Sequence, residues 1–521
     1  MANYAGSTTS LWLAEVRPLE LEPLAEDVIA DACVVGAGIA GITAAYLLAR
    51  DGLSVVVLDD GPVGGGMTCR TSAHLCDALD DRYHELERLH GGDGARLAAA
   101  SHGAAIDRIG RLVVEEAIDC DFERVDGYLF AAEEHGPEEL GREFEAASRA
   151  GLEVALVDRS PFEHWSGPAL RFPRQGQFHP LRYLAGLTRA CLARGGRIYT
   201  GSHAARFQGG SDARVATSDG HMVRTRSIVV ATNSPVNDRV AMHTKQHAYV
   251  TYVVALRVPR DSVPRALAWD TCDPYHYVRL HRPADDPEHD VLLVGGADHR
   301  TGQSNDGALR LIQLERWARE RFPVAGLVLE GWSGQILEPV DSLGYAGRNP
   351  MDEVNVYLVT GDSGNGLTHG TLGAMIVADL VAGRANPWAE LYDPARKRLR
   401  AATDYVRENV NVAGQYADWV TGGDVASPDQ IPPGEGAVIR RGATKVACWR
   451  RPDGACVERS AICPHLRGVL AWNSLEKTWD CPAHGSRFAA DGTVLQGPAN
   501  SDMSEAPAEK PRKRAKERSG G

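Results

Sequence analysis

A glycine-rich turn between an apolar strand and a helix, close to the start of the chain, constrains the fold most strongly. An apolar run ends at Val35, and Gly36, Gly38 and Gly41 follow with the spacing Gly-x-Gly-x-x-Gly before a stretch of helical periodicity. A second apolar run ends at Asp59, eighteen residues after Gly41. This order of strand, glycine turn, helix and strand predicts a doubly wound parallel sheet that binds a dinucleotide.

Each residue type at this turn has a physical reason. Gly36 permits the tight turn, Gly38 lets the backbone approach a pyrophosphate, and Gly41 lets the helix pack closely, so that phosphate charge lies at the helix N-terminus. Asp59 is placed to accept ribose hydroxyls. The alternative is a glycine turn without a ligand, and NAD and FAD both remain open here. The predicted contacts are Gly36, Gly38, Ile39, Ala40, Gly41 and Asp59.

A second glycine-rich loop occurs more than 300 residues later, over residues 361–366, and it favours FAD. A long, extended cofactor needs a loop at each end. The helix after this loop would direct the partial positive charge of its N-terminus at an electron-rich reduced flavin. The alternative is a capped helix after a core strand. The predicted contacts are Gly361, Asp362, Gly364, Asn365, Gly366 and Leu367.

At this point the chain resembles the D-amino-acid-oxidase-like flavoprotein superfamily over roughly residues 25–410. The matching segments are 34–41, 55–59, 67–74, 229–233 and 361–366. The resemblance implies that the loop after the second strand runs beside the flavin ring. It therefore places these residues near FAD: Arg70, Thr71, Ser72, His74 and, after a later strand, Thr232. Cys69 departs from the family pattern, and a tolerated side chain, a redox contact and a covalent attachment point are all open.

The same resemblance implies a substrate class, a carbon–nitrogen bond in an amine or an N-substituted amino acid, oxidised to an imine that water hydrolyses. The candidate catalytic or substrate residues are His74, Tyr277 and Arg279, and Arg279 could hold a carboxylate bidentately. The alternative is that Tyr277 is an interior strand residue and that Arg279 belongs to a surface ion pair. No general base is assigned.

Two cysteines and two histidines near the C-terminus form the sharpest chemical pattern. Cys463-Pro-His465 and Cys481-Pro-Ala-His484 each offer one thiolate and one imidazole. Structural zinc sites usually carry their cysteines in close pairs, whereas one cysteine and one histidine per loop is typical of a Rieske [2Fe-2S] centre. Two thiolates neutralise the oxidised cluster, so that it accepts an electron at a higher potential than a four-thiolate cluster.

Residues from about 433 to 500 resemble the Rieske family. In its respiratory members a disulfide joins the two loops at positions equivalent to Gly468 and Ala483, and neither is cysteine here. The family also aims a hydroxyl, here that of Ser486, at a cluster sulfur. The missing cysteine pair fits a reducing compartment.

The 521 residues are predicted to form an α/β Rossmann-like FAD-binding domain interleaved with an α+β substrate domain, followed by a small all-β Rieske domain. The predicted boundaries are 1–420 for the oxidoreductase (FAD-binding part about 28–80, 195–240 and 355–410), 421–434 for a linker, 435–500 for the Rieske domain and 501–521 for a disordered basic tail.

The remaining expectations concern location and partners. No secretion signal and no apolar run of about 18 residues is visible, so we expect a cytoplasmic protein without a membrane span. A net charge of −13 argues against general nucleic-acid binding. The expected partners are a small amine or amino-acid substrate and an unidentified electron acceptor.

Two cofactors on one chain suggest that substrate electrons enter FAD as a pair and leave singly through the cluster. One alternative is a reductase that passes electrons from NAD(P)H through flavin to the cluster, although no second glycine fingerprint after a strand is present. Another alternative is a non-enzymatic redox sensor or electron carrier.

Overall fold

The computed structural model describes residues 5–132, 136–165, 167–237, 241–397 and 399–506. The α-helices are α1 (Leu11–Glu15), α2 (Ile39–Arg50), α3 (Tyr83–Glu115), α4 (Gly136–Arg149), α5 (Pro180–Ala193), α6 (Gly307–Arg321), α7 (Gly366–Val381) and α8 (Ala402–Gln415). The strands are β1 (Val28–Ile29), β2 (Ala32–Val35), β3 (Val55–Leu58), β4 (His74–Leu75), β5 (Glu123–Phe130), β6 (Ala155–Val157), β7 (Ala169–Gln177), β8 (Arg197–Tyr199), β9 (Ala204–Gln208), β10 (Arg214–Thr217), β11 (Met222–Arg224), β12 (Ser227–Val230), β13 (Gln246–Pro259), β14 (Leu267–Asp270), β15 (His276–His281), β16 (His289–Arg300), β17 (Val328–Pro339), β18 (Tyr345–Arg348), β19 (Val356–Thr360), β20 (Gly436–Arg441), β21 (Thr444–Arg450), β22 (Cys456–Ser460), β23 (Ala471–Asn473), β24 (Thr478–Asp480), β25 (Arg487–Ala489) and β26 (Val494–Gln496).

The first domain is built on a six-stranded sheet in the order β18-β19-β12-β2-β3-β8. The five strands from β19 to β8 are parallel, and β18 is antiparallel at the edge. Their runs of valine, isoleucine and leucine are buried on both faces, as parallel sheets require. Helix α2 is buried along almost its whole length because α5 and α7 pack against it as well as the sheet. A small sheet, β1-β11-β10-β9, extends this domain.

The substrate domain is a nine-stranded sheet in the order β17-β13-β16-β15-β14-β5-β7-β4, with β6 paired to β7. Its strands come from residues 74 to 339 and alternate along the chain with those of the first sheet. The two domains are therefore interleaved, as predicted. Helix α6 packs against β13 and β16.

The C-terminal domain contains two small antiparallel sheets, β20-β21-β22 and β23-β24-β25-β26. Trp472, Trp479 and Phe488 form its core together with the two cysteines Cys463 and Cys481. The predicted fold class, an α/β FAD-binding domain interleaved with an α+β substrate domain and followed by an all-β domain, is confirmed.

Two of the predicted boundaries differ from the structure. Residues 421–434 are packed and do not form a free linker: the Asp424 amide donates to the Val438 carbonyl at 2.7 Å, and Ile431 is buried in a small apolar cluster. The predicted disordered tail begins too early, because Met503 is buried and Glu505 forms a β-bridge with Arg459. Its remaining part, 507–521, lies outside the described residues.

Across the described part of the chain, no helix has the length and apolar character needed to cross a membrane. All ten cysteines lie within the described ranges, and no disulfide joins any of them.

Candidate functional site

A cavity of about 880 Å³ opens at the carboxyl ends of the parallel strands. Strands β2, β3 and β19 end at its wall, at Val35, Leu58 and Thr360, and Ala231, which directly follows β12, also lines it. Ligands of open parallel sheets bind at this edge. The cavity continues along the substrate sheet and reaches residues of the C-terminal domain.

The glycine turn has the geometry that the sequence predicts. Gly36 has φ +105°, and a Cβ there would overlap the Ala231 carbonyl. Gly41 does not line the cavity; a Cβ at Gly41 would overlap the Gly36 carbonyl oxygen, so this glycine holds α2 against the turn. Gly38 faces the cavity at the N-terminus of α2.

Asp59, the residue after β3, lines the cavity and binds the backbone of the glycine turn. Its Oδ2 accepts the Ala37 amide at 2.5 Å, and its Oδ1 accepts the Gly61 amide at 2.8 Å. Each oxygen retains a second lone pair for a hydroxyl of a ligand. Burial and the neighbouring Asp60 raise the pKa of Asp59 to about 7.

The other predicted cofactor residues lie along the same cavity. Its walls contain Ile39, Ala40, Arg70, Thr71, Ser72, Thr232, Gly361, Asp362, Gly364, Asn365, Gly366 and Leu367. Five lining side chains carry a buried polar atom without a hydrogen-bond partner: Arg70 Nε, Asn233 Nδ2, Gln335 Oε1, His369 Nδ1 and Gln496 Oε1. A buried, unpaired amide is costly unless a ligand completes it, so the wall is built for a long polar ligand and fits FAD. Gln335 was not predicted as a site residue, since no local motif marks it.

Cys69 does not face the cavity. Its thiol is buried and points at the carbonyl oxygens of Gly66 and Gly65, 3.1 and 3.4 Å away. Burial raises the pKa of Cys69 to about 11, so the thiol stays protonated and unreactive. The structure therefore favours a tolerated side chain over a redox contact or covalent attachment.

His74 and Tyr277 both line the cavity and touch each other, with ring centroids 5.6 Å apart. His74 Nε2 lies 3.1 Å from the Val278 carbonyl, which can only accept, so Nε2 carries the proton and Nδ1 accepts the Ser72 hydroxyl at 2.9 Å. Burial and the nearby Arg279 lower the pKa of His74 to about 3. His74 is therefore a neutral group with both ring nitrogens occupied.

Arg279, predicted as a carboxylate contact, has a different role. It is buried and absent from the cavity wall, and its Nη1 donates to the carbonyls of Ser72, Ala73 and Phe178 at 3.2, 2.8 and 3.1 Å. Three carbonyl acceptors surround Nη1, which holds the loop beside the cavity, whereas Nε is buried without a hydrogen-bond partner. The surface ion pair considered as the alternative is also excluded by its burial.

A group of carboxylates near one end of the cavity was missed by the sequence reasoning. Asp80 and Asp362 line the wall, and Asp81, Asp298 and Glu338 lie close to them. Tyr275 Oη donates to Asp80 at 3.3 Å, and Ser363 Oγ donates to Glu338 at 3.1 Å and also to Asp81. The five come from four distant stretches of chain, so no spacing in the sequence reveals them.

These carboxylates have raised pKa values, chiefly through burial, and at all of them except Asp80 the charge of a neighbouring carboxylate raises the pKa further. The pKa is about 6 for Asp80 and Asp362 and about 7 for Asp81 and Asp298, and that of Glu338 lies well above its ordinary value. Among the described residues that line the cavity there is no lysine, and Arg70 is the only arginine. Arg70 is bound to Glu476 at 3.0 Å. A cationic ligand would stabilise this end of the cavity.

The two predicted cluster loops have matching hydrogen bonds. The Cys463 amide donates to the Gly468 carbonyl at 2.9 Å and the Cys481 amide to the Ser486 carbonyl at 2.8 Å. The residue four positions after each cysteine, Arg467 or Gly485, has a positive φ and donates back to the cysteine carbonyl. The loops thus present one cysteine and one histidine each to a shared space.

The donor set fits a Rieske cluster. Both thiols are 1% exposed and free, and the rings of His465 and His484 lie 5.2 Å apart. The Nδ1 atom of His484 is buried and has no hydrogen-bond partner, as expected of a metal ligand. Two thiolates and two neutral imidazoles are the ligands that hold such a cluster.

Gly468 and Ala483 face each other across the two loops. A Cβ at Gly468 would lie 3.2 Å from that of Ala483, somewhat less than the Cβ separation of about 3.5–4.5 Å in a disulfide. The position of the respiratory disulfide is thus preserved, whereas its cysteines are not.

The first two domains contact the cluster loop directly. Gln335, on the cavity wall, donates from Nε2 to the Gly485 carbonyl at 2.8 Å, and Gly485 follows the ligand His484. A Cβ at Gly485 would come within 2.8 Å of that same Nε2 atom, so the contact requires glycine. His243 packs its ring on His465, with centroids 4.8 Å apart.

Comparison with known proteins agrees with both halves of the site. The sequence model of the FAD dependent oxidoreductase family matches residues 31–380, and that of the Rieske [2Fe-2S] domain matches residues 422–507. YhfW of Bacillus subtilis, named as a Rieske 2Fe-2S iron-sulfur protein, is 30% identical over 487 residues, which cover 91% of this chain and 93% of YhfW.

Other relatives match the first two domains alone. Gamma-glutamylputrescine oxidoreductase of Escherichia coli is 26% identical over 380 residues, 70% of this chain and 86% of its own. Among solved structures, glycine oxidase from Geobacillus kaustophilus superposes with a TM-score of 0.59 at 17% identity, over 71% of this chain and 99% of its own. L-proline dehydrogenase from P. horikoshii gives 0.57 at 17% identity, over 72% and 98%. These two structures share the fold.

Proposed function

Because the chain belongs to the FAD-dependent oxidoreductase family and carries a Rieske [2Fe-2S] domain, we propose that it oxidises the carbon–nitrogen bond of an amine and passes the electrons singly to an acceptor. Bound along the wall that contains Gly36, Gly38 and Gly361, FAD would supply a two-electron acceptor for the hydride of the carbon beside nitrogen; hydrolysis of the resulting iminium would give a carbonyl compound and ammonia or an amine. Held by Cys463, His465, Cys481 and His484, a [2Fe-2S] cluster would supply a one-electron carrier.

The observation that carries the electron path is the contact between the cavity wall and the cluster loop. Gln335 borders the cavity that FAD fits and bonds the residue next to the ligand His484. The wall of the flavin cavity and the second cluster loop are thus in direct contact. Ten cysteines without a disulfide among them support a reducing, cytoplasmic location.

The carboxylate group supports an amine over an amino acid as substrate. A substrate carboxylate would be repelled by Asp80 and Asp362, and no arginine in the described part of the cavity wall is available to bind it. Arg279 donates to backbone carbonyls instead, and Arg70 is paired with Glu476. An ammonium group is the ligand that such a wall attracts.

The experiment that tests this function is anaerobic mixing of the purified protein with diamines, monoamines, N-methyl amino acids and NADH or NADPH. We expect an amine to bleach the flavin absorbance and to generate the EPR signal of a reduced Rieske cluster. Bleaching by NADH or NADPH alone would contradict amine oxidation and indicate a reductase. A flavin that none of these compounds reduces would indicate a sensor or carrier.

The variant Asp80→Asn tests the role of the carboxylates. One charge-assisted contact is worth roughly 1.5–3 kcal/mol, so we expect KM for the amine to rise roughly 10- to 100-fold. Asp126→Asn is the control. Asp126 forms a half-exposed ion pair with Arg171 at 2.7 Å, and both residues lie on the sheet of the substrate domain. An unchanged KM in Asp80→Asn, measured by steady-state kinetics, would contradict recognition of the amine by this wall.

A further inference from the structure

One end of the cavity is closed by the Rieske domain. Besides the residues of the oxidoreductase domains, its lining includes residues 493–497 and 499–502, which follow the second cluster loop. Asp59, which the glycine fingerprint assigns to the ribose of the adenosine, lines the cavity together with this segment.

Hydrogen bonds locate the segment at the adenosine end. His203 Nδ1 lies 3.2 Å from Asp60 Oδ2, next to Asp59, and His203 Nε2 lies 3.4 Å from the Asn500 carbonyl. Asn500 Nδ2 donates to the carbonyls of Ala204 and Ala205, at 3.0 and 3.3 Å. These residues line the cavity as well.

The segment is also packed tightly on the oxidoreductase side. A Cβ at Gly497 would lie 2.8 Å from a methyl group of Val236 and 3.2 Å from the Ser234 carbonyl, so Gly497 allows this close approach. On its other side the Ala499 amide donates to Ser486 Oγ at 3.0 Å, within the second cluster loop. A single short segment thus connects the cluster loop to the wall of the nucleotide cavity.

We infer that residues 493–502 of the Rieske domain are part of the FAD-binding site and retain the adenosine half of the cofactor. FAD is then held between the two halves of the protein. By linkage, a ligand that contacts both halves favours their docked arrangement, and docking favours FAD retention to the same degree. This inference requires FAD in the cavity and is independent of the substrate and of the direction of electron flow.

The test uses the full-length protein and the variant Asn500→Ala. FMN is the probe that separates adenosine contacts from general loosening, because it lacks the adenosine. We expect the dissociation constant of FAD, measured by calorimetry on protein stripped of flavin, to rise about 10-fold, and that of FMN to stay unchanged. The EPR signal of the cluster should be retained.

The matched control is Asn305→Ala. Asn305 also bonds across to the Rieske domain, to Ser474, through its Nδ2 at 3.0 Å and its Oδ1 at 2.7 Å, but it is absent from the cavity wall. We expect wild-type affinity for both flavins there. If Asn500→Ala weakened the binding of FAD and of FMN equally, or left the affinity for FAD unchanged, the inference would be overturned.

A second variant covers the case in which Asn500→Ala loses its cluster. His203→Ala leaves the Rieske sequence intact. It removes the hydrogen bond between His203 Nε2 and the Asn500 carbonyl, which also joins the two domains at this end of the cavity. It should lower the preference for FAD over FMN in the same direction. If the FAD-to-FMN preference stays at the wild-type value, the wall does not hold the adenosine.

Discussion

Replacing Cys463 by serine is expected to abolish the EPR signal of the reduced cluster and to remove about two iron atoms per protein. The thiolate of Cys463 is one of two that neutralise the cluster, and the site is buried, so that no other donor can replace it. Flavin bleaching by the amine should persist, since neither Cys463 nor any other residue of the two Cys-His pairs lines the cavity. Delivery of electrons to a one-electron acceptor should fall at least about 100-fold.

Cys448→Ser is the matched control for this variant. Cys448 is equally buried in the same domain, on β21, but it lies outside the two cluster loops. A serine at position 448 shows how a buried hydroxyl affects the stability of this domain, while all four cluster ligands remain. If Cys448→Ser lost the EPR signal to the same extent, or if Cys463→Ser kept it, the assignment of Cys463 as a cluster ligand would be contradicted.

The largest expected effect on stability follows from Glu476→Gln. Glu476 is a Rieske-domain residue with a fully buried side chain, and its Oε1 lies 3.0 Å from Arg70 Nη1 and 2.6 Å from Ser333 Oγ. Removing its charge leaves Arg70 buried without a carboxylate, which costs about 3–5 kcal/mol. We expect the thermal midpoint, followed by the visible absorbance of the cluster, to fall by roughly 5–10 °C.

Glu458→Gln is the control, because Glu458 pairs with Arg441 at 2.6 Å but both side chains are about a quarter exposed, at 26% and 27%. A pair of that kind contributes about 0–1 kcal/mol. If the thermal midpoint fell no further in Glu476→Gln than in Glu458→Gln, the buried pair of Arg70 and Glu476 would not hold the domains together.

The difference between Glu476→Gln and the wild type should also depend on pH. Burial alone would raise the pKa of Glu476, but Arg70 and Arg487 outweigh it and hold this pKa below its ordinary value. The stabilisation is therefore fully present above the unfolded pKa of about 4.3 and is lost as pH falls towards the folded pKa. Unfolding midpoints of the two proteins should converge below about pH 4.

Features that depend on a few consecutive residues were predicted correctly from the sequence. The turn at Gly36 and Gly38 and the parallel strands around it follow from local spacing, because only glycine allows that backbone path. The pattern Cys-Pro-His and Cys-Pro-Ala-His likewise places its four side chains on two short loops. In both cases each turn or loop that carries the functional residues is shorter than about ten residues.

Features that depend on distant parts of the chain could not be predicted. The orientation of Arg279 is set by three carbonyls, two near residue 73 and one at residue 178, and the carboxylate group unites residues from 80 to 362. The segment 421–434 looked like a linker by composition, yet Ile431 finds an apolar partner in Ile439. Only the tertiary structure supplies these neighbours.

An anaerobic titration with the amine that bleaches the flavin most rapidly tests the central claim directly. Each amine oxidised releases two electrons, FAD holds two and the cluster holds one, so we expect full reduction after about 1.5 equivalents of amine, with about one unpaired spin per protein in the cluster EPR signal. An end point at about one equivalent, with the flavin bleached and the cluster still oxidised, would contradict electron transfer from the flavin to the Rieske centre.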